Sequence, residues 1–238
     1  LNSLGEIIDT IINCSFCITI PPLPKEDFSG FVFTSFDKDV IALFFALIGA
    51  DSPEEVLGLL DLLQFVNMMT SAHQNVTIFA SVGNDSNQGV RDYDARYPAR
   101  FDGVTGVVAL DKVDCRAIYS NVPSNSQSYV CAFGGEVDGE YTKENCGVEG
   151  VYTAPVFPNH QCNTTGNAEW AGSSFATGRA TAHLANELSC PTKNREDDDT
   201  PNDVLDNLKS DRSVRMAVGT GTGEIPKIDP DDRNIRPN

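Results

Sequence analysis

The stretch NVTIFASVGND, residues 75–85, decides how the rest of the chain is read. Val76, Thr77, Ile78 and Phe79 are β-branched or aromatic, and Gly83-Asn84-Asp85 follows as a turn signal, so the run reads as a strand that stops abruptly. Upstream, Ser52-Pro53-Glu54-Glu55 supplies an N-cap, a proline at the first helical position and a capping-box glutamate. Val56, Leu59, Leu60, Leu63 and Val66 then keep the helical period. Downstream, GVTGVVALD (103–111) reads as a second strand, and IINCSFCITI (11–20), bounded by Pro21-Pro22, as an earlier buried one. Helices alternating with apolar strands predict an α/β domain with a mostly parallel sheet flanked by helices.

The chain has 238 residues, enough for one well-packed domain, and no composition shift argues for two. A formal net charge of −17 argues against nucleic acid and anionic membrane as partners, because either polyanion would be repelled. Part of that charge sits in Arg195-Glu196-Asp197-Asp198-Asp199, read as a solvated loop. The longest apolar run, VIALFFALIGA (40–50), is about half of the ~20 residues that a membrane span needs, and reads as a buried helix. Seven cysteines point to an oxidising compartment, hence a secreted or extracellular protein with disulfides and one thiol left over. Leu1 leads straight into apolar periodic sequence, as if an upstream portion had been removed by processing or truncation.

From 112 to 168 the chain is polar and Gly-rich and holds four of the seven cysteines, so loops and short strands stapled by disulfides are expected. FATGRATAHLANEL (175–188) is helical and is stopped by Ser189-Cys190-Pro191; SVRMAVGTGTG (213–223) reads as a last strand and turn. The domain is thus expected over 1–223, with a polar C-terminal tail over 224–238.

Few motifs carry chemistry by themselves. Gly219-Thr220-Gly221-Thr222-Gly223 is not a phosphate loop, because Glu224-Ile225-Pro226 follows where a helix N-terminus must begin. Cys14-x-x-Cys17 lies on a predicted strand, which points the two side chains to opposite faces, and no second CxxC completes a zinc site. Asn84 after a strand is ordinarily a turn residue, although its amide could donate to a developing oxyanion. Ser173-Ser174, in the stretch EWAGSSFATGRATAHLA (169–185), is ordinarily a helix cap, although a serine there could be a nucleophile at the positive end of the helix.

Taken together, INCSFC, FASVGND, RYPARFDGVTGVVALD, IYSN and WAGSSFATG resemble, in order, successive blocks of the subtilisin-like serine peptidases, from residue 6 to about 188 with insertions near 21–63 and 122–166. The resemblance implies a subtilisin-like three-layer α/β architecture lacking its N-terminal part, and peptide-bond hydrolysis by acyl transfer. Gly172-Ser173-Ser174 takes the place of Gly-Thr-Ser, which makes Ser174 the implied nucleophile and leaves Ser173 structural. Asn84 takes the place of the oxyanion asparagine, and the Ser174 backbone N–H would be the second donor. Ser15, Phe16 and Cys17, with Ala80, Ser81 and Val82, would flank the pocket for the residue preceding the cleaved bond. Gly178 stands where the family has a proline, and Cys17 where it has a glycine.

A serine hydroxyl needs a histidine to take its proton and a carboxylate to orient that histidine. The family's Asp-Ser/Thr-Gly and His-Gly-Thr blocks are not in these residues; Asp9-Thr10 lacks the required glycine. His183 is nine residues along the same helix from Ser174, about 13 Å away at helical rise. His73 is expected about 20 Å off, at the opposite edge of the sheet, and His160 lies on a loop. The expectation is therefore the Ser-bearing part of a serine endopeptidase, inactive alone, with a polypeptide substrate and the missing N-terminal part of its own domain as partners. The alternative is a pseudopeptidase that keeps the fold as a binding or scaffold module. No cofactor is required; structural calcium is compatible with the family, but no ligand spacing locates a site.

Overall fold

The computed structural model describes residues 9–15, 53–72, 75–87, 91–123, 125–135, 148–151, 167–189 and 200–228. Strands β1 (Thr10–Cys14), β2 (Val76–Ser81), β3 (Val104–Leu110) and β4 (Tyr129–Phe133) form one parallel sheet in that order. Its register sets Cys14 beside Ala80, Ser81 beside Val107, and Leu110 beside Phe133. Helix α1 (Pro53–Ala72) precedes β2 and starts at the proline that its capping signal marks. Of the expected strand 11–20, residues 11–14 lie in β1 and 16–20 lie outside the described residues, as do the apolar run 40–50 and the acidic run 195–199.

Side chains of consecutive strand residues leave the sheet on alternate faces. Ile78, Ala80, Val82, Val104, Val108, Leu110, Tyr129 and Cys131 face one way and pack with Val66, Leu62 and Leu63 of α1. Phe79, Val107, Ala109, Val130 and Ala132 face the other way. They meet Ala176, Ala180 and Leu184 of helix α2 (Ser173–Ser189) and Val204 and Leu205 of helix α3 (Pro201–Asp211). The result is helix, sheet, helix: three layers, with both sheet faces dry. That is why the strands read as unbroken apolar runs rather than as alternating ones.

Two antiparallel pairs complete the described elements: β5 (Val148–Val151) with β6 (Asn167–Trp170), and β7 (Ser213–Val218) with β8 (Gly221–Pro226). The Gly-Thr repeat is the tip of the second hairpin, where Gly219 at φ +54° makes the reversal that a side chain would resist. Residues 224–228, placed in the tail by composition, belong to the body of the domain. Ile225 and Ile228 are fully buried, and the Ile228 N–H donates to the Cys131 carbonyl at 3.1 Å, closing the exposed edge of β4.

Helix α3 is not foreshadowed in the sequence reading, although its start is legible afterwards. Thr200 caps the Asp203 N–H while the Asp203 carboxylate returns to the Thr200 N–H, with Pro201 between them. The disulfide expectation is not met at the described cysteines: Cys14 and Cys115 are thiols, and the Cys131 thiol donates to the carbonyls of Ile225 and Pro226. Cys14 and Cys131 belong to the first and last strands of the sheet, roughly 14 Å apart at ~4.8 Å per strand, twice the ~7 Å that a disulfide tolerates. Cys17, Cys146, Cys162 and Cys190 lie outside the described residues.

Candidate active site

The site is assembled where β1 and β2 run out of the sheet and α2 begins. β2 is buried along its whole length, so its first exposed residue comes only after the Gly83 turn. Gly83 adopts φ +103°, and a Cβ there would stand 2.6 Å from Asn121 Nδ2 and 2.9 Å from Arg96 Cγ. Both the backbone geometry and the space exclude a side chain. The turn throws Asn84 outward, against the start of α2.

There the two segments lock reciprocally. The Ser173 N–H donates to Asn84 Oδ1 at 2.8 Å, and the Gly83 N–H donates to Ser173 Oγ at 3.2 Å. Only the oxygen of an amide can accept from an N–H, so this contact also fixes which way Asn84 points: its NH₂ faces away from Ser173. Nδ2 lies against Gly172, 3.4 Å from where a Cβ on that glycine would be. Ser173 is completely buried and spends its hydroxyl on this clamp, in keeping with the structural role that the resemblance implies for it.

Ser174 is half-buried in the first turn of α2. Its hydroxyl donates to the Ser15 carbonyl at 2.6 Å, and the Ser15 hydroxyl reaches both the Ser174 carbonyl at 3.2 Å and Asn13 Oδ1 at 2.5 Å. The exit of β1 is thereby tied to the helix start. Among the described residues the Ser174 N–H has no acceptor, as expected for a first-turn amide, so it adds a donor to the positive end of the helix. Asn84, bonded to the Ser173 N–H, is thus held beside the helix start that carries the Ser174 N–H and Oγ.

Of the other expected pocket residues, Ser15 touches Ser174 directly. Ala80, Ser81 and Val82 lie at the end of β2 with their side chains buried, and both backbone polar groups of Val82 are already hydrogen-bonded, to Val107 and Arg96. Phe16 and Cys17 lie outside the described residues, together with His73 and His160. His183 sits on α2 itself, about 13 Å along the axis from Ser174, and is the one histidine among the described residues. No group of three or more His, Cys, Asp or Glu is placed to hold a metal among the described residues, and no described helix is long and apolar enough to cross a membrane.

The sequence reading missed the supports. Tyr119 donates its phenol to the carbonyls of Gly134 and Gly135, at 2.8 and 2.9 Å, and Gly134 in turn accepts from the Gly172 N–H at 2.8 Å, directly ahead of the helix. Burial, with some help from the Asp111 charge, pushes the Tyr119 phenol well above its usual range despite the Gly172 hydrogen bond, so it stays a donor at any working pH. Asn121 grips the Asn84 turn. Tyr119 and Asn121 belong to the block IYSN, whose polar surroundings give no local signal that the two support the site. The sole tryptophan, Trp170, is half-exposed and stacks on Phe175, the residue after Ser174, with ring centroids 6.2 Å apart.

No curated protein matches the chain. Among solved structures, it is similar to a protease from Pseudoalteromonas arctica, with 23% identity over 70% of this chain and 44% of that one and a TM-score of 0.47. It is also similar to the prenylagaramide maturation protease PagA, with 18% identity over 92% of this chain and 58% of that one and a TM-score of 0.44. The PatG macrocyclase domain matches with 18% identity over 78% and 38% and a TM-score of 0.39. The chain therefore spans well under two thirds of the length of these proteins. Residues 51–209 match the model of the subtilase family, peptidase S8; over the larger part of its length, the chain belongs to that family.

Proposed function

We propose that this subtilase-family chain carries the nucleophile and the oxyanion donors of a serine endopeptidase. Ser174 attacks the carbonyl carbon of a peptide bond; the carbonyl oxygen, becoming an oxyanion, takes hydrogen bonds from Asn84 Nδ2 and the Ser174 N–H; collapse expels the amine and leaves an acyl-serine that water then hydrolyses. The observation that supports the reading is the clamp between Asn84 and Ser173, which spends Asn84 Oδ1 on the Ser173 N–H and holds the amide beside the residue that precedes Ser174. The proton must leave Ser174 for a base. The family's Asp-Ser/Thr-Gly and His-Gly-Thr blocks are not in these 238 residues, so in this reading the histidine and its orienting aspartate are supplied from outside them. Secretion was expected from the cysteine count, and that support weakens where Cys14 and Cys115 are thiols.

Peptide hydrolysis by the protein made from the complete coding sequence tests this. Ser174→Ala should abolish turnover there, and Asn84→Ala should lower kcat by about 10²–10³, a figure that belongs to subtilisin itself. The 238 residues alone should show no Ser174-dependent turnover. Turnover by the isolated chain would overturn the external base. A complete protein that binds peptides but never cleaves them would replace the reading with that of a pseudopeptidase.

A further inference from the structure

Asn121 is a fully buried polar residue that no catalytic step uses, and most of its hydrogen bonds go to one turn. Its Oδ1 accepts from the Asp85 N–H at 2.9 Å, the Ser86 N–H at 3.0 Å and the Ser86 hydroxyl at 3.1 Å. Its Nδ2 donates to Asp85 Oδ2 at 2.9 Å and to the Asp94 carbonyl at 3.2 Å. Its backbone N–H donates to the Gly83 carbonyl at 3.1 Å. One residue thus holds the chain on both sides of Asn84, at Gly83 before it and at Asp85 after it, and makes no hydrogen bond to Asn84 itself among the described residues. Arg96 Nε tightens the far side by binding the same Asp85 oxygen at 3.0 Å.

A turn carrying an exposed polar side chain needs no such bracket to be stable. Exposed turns ordinarily satisfy their amides with water or their own side chains, and routing several bonds into a completely buried amide exposes the fold to the full penalty if any is lost. What the bracket adds is a fixed position for the Asn84 Cα. An amide that must donate to a charge present only in the transition state is worth most when it does not have to reorganise. We propose that Asn121 is the positioning residue of the oxyanion site: by gripping Gly83 and Asp85 it fixes Asn84 so that the Ser173 contact can aim its amide. The proposal rests on Asn84 being the oxyanion donor.

Two measurements test it. In the complete protein, Asn121→Ala should lower kcat by about 10- to 100-fold, as a small misplacement of a catalytic group does, with KM held within about twofold. The same change in an Asn84→Ala background should add almost nothing. A residue that only stabilised the fold would act alike in both backgrounds, and that outcome would overturn the proposal. In the 238-residue chain, ¹⁵N relaxation of the Asn84 side-chain amide should give an order parameter near the ~0.85 of rigid backbone, falling below ~0.6 in Asn121→Ala. A low value in the unmutated chain, or an unchanged high value in a folded variant, would also overturn it. Where Asn121→Ala fails to fold, the isosteric Asn121→Asp keeps the shape and the acceptor but loses the donor, and the same drop in order is required of it. If the complete protein shows no Ser174-dependent turnover, the functional reading falls, while the relaxation measurement still decides whether Asn121 positions Asn84.

Discussion

At the scale of single residues, the site is held by hydrogen bonds whose donors and acceptors leave little choice. Asp85 illustrates the electrostatics. Partial burial alone would raise its pKa, but the hydrogen bonds from Asn121 and Arg96 and the Arg96 charge outweigh it, so the carboxyl sits below the usual range. Its ionised form is therefore favoured in the folded state. The stability it contributes is complete above the unfolded aspartate value of about 3.9, and is lost as pH falls through the lower folded value. Asp85→Asn keeps an acceptor but cannot titrate. The gap in melting temperature between the parent chain and this variant should be widest above about pH 5 and should narrow steadily in more acidic buffer; a gap that does not change with pH would contradict the assignment. Ser174 and Asn84 stand out in sequence because their blocks are local. Asn121 does not, because what it does depends on which backbone it meets across 35 residues of chain, and no local pattern encodes that.

Among the elements, β1, β2 and β3 and helices α1 and α2 were the most legible, because burial on two faces writes long apolar runs that no loop would carry. Helix α3 shows what defeats such a reading. Its apolar content is small and it follows directly on an acidic polar run, so composition argued for loop while the Thr200-Pro201-Asn202-Asp203 cap argued for helix. The second hairpin strand was lost for a similar reason: Glu224, Pro226 and Lys227 hide the alternation that buries Ile225 and leads on to Ile228. A helix so dependent on its cap should be sensitive to it. Thr200→Ala should cost about 0.5–2 kcal/mol, measured by urea denaturation, whereas Thr200→Ser should recover most of the loss.

For the molecule as a whole, the three layers share one sheet, and neither apolar cluster can be removed without stripping a face from the same four strands. Leu184→Ala on the α2 side and Ile225→Ala on the opposite side should each cost about 2–5 kcal/mol. Both should shift a single transition in which near- and far-ultraviolet circular dichroism coincide. Two separated transitions would show that the layers fold independently. The site gains from this arrangement, since its three contributors, the exits of β1 and β2 and the head of α2, belong to elements whose relative placement is fixed by packing rather than by loops.

If Ser174 is the nucleophile proposed above, its hydrogen bond to the Ser15 carbonyl makes activation an exchange of acceptors. Before a base can draw the proton, it must take the place of a neutral carbonyl that holds the hydroxyl, and such a bond is worth about 1 kcal/mol net. That toll amounts to less than a factor of ten in rate. A serine so parked is kept from wandering among rotamers, yet surrenders its proton cheaply once an imidazole arrives.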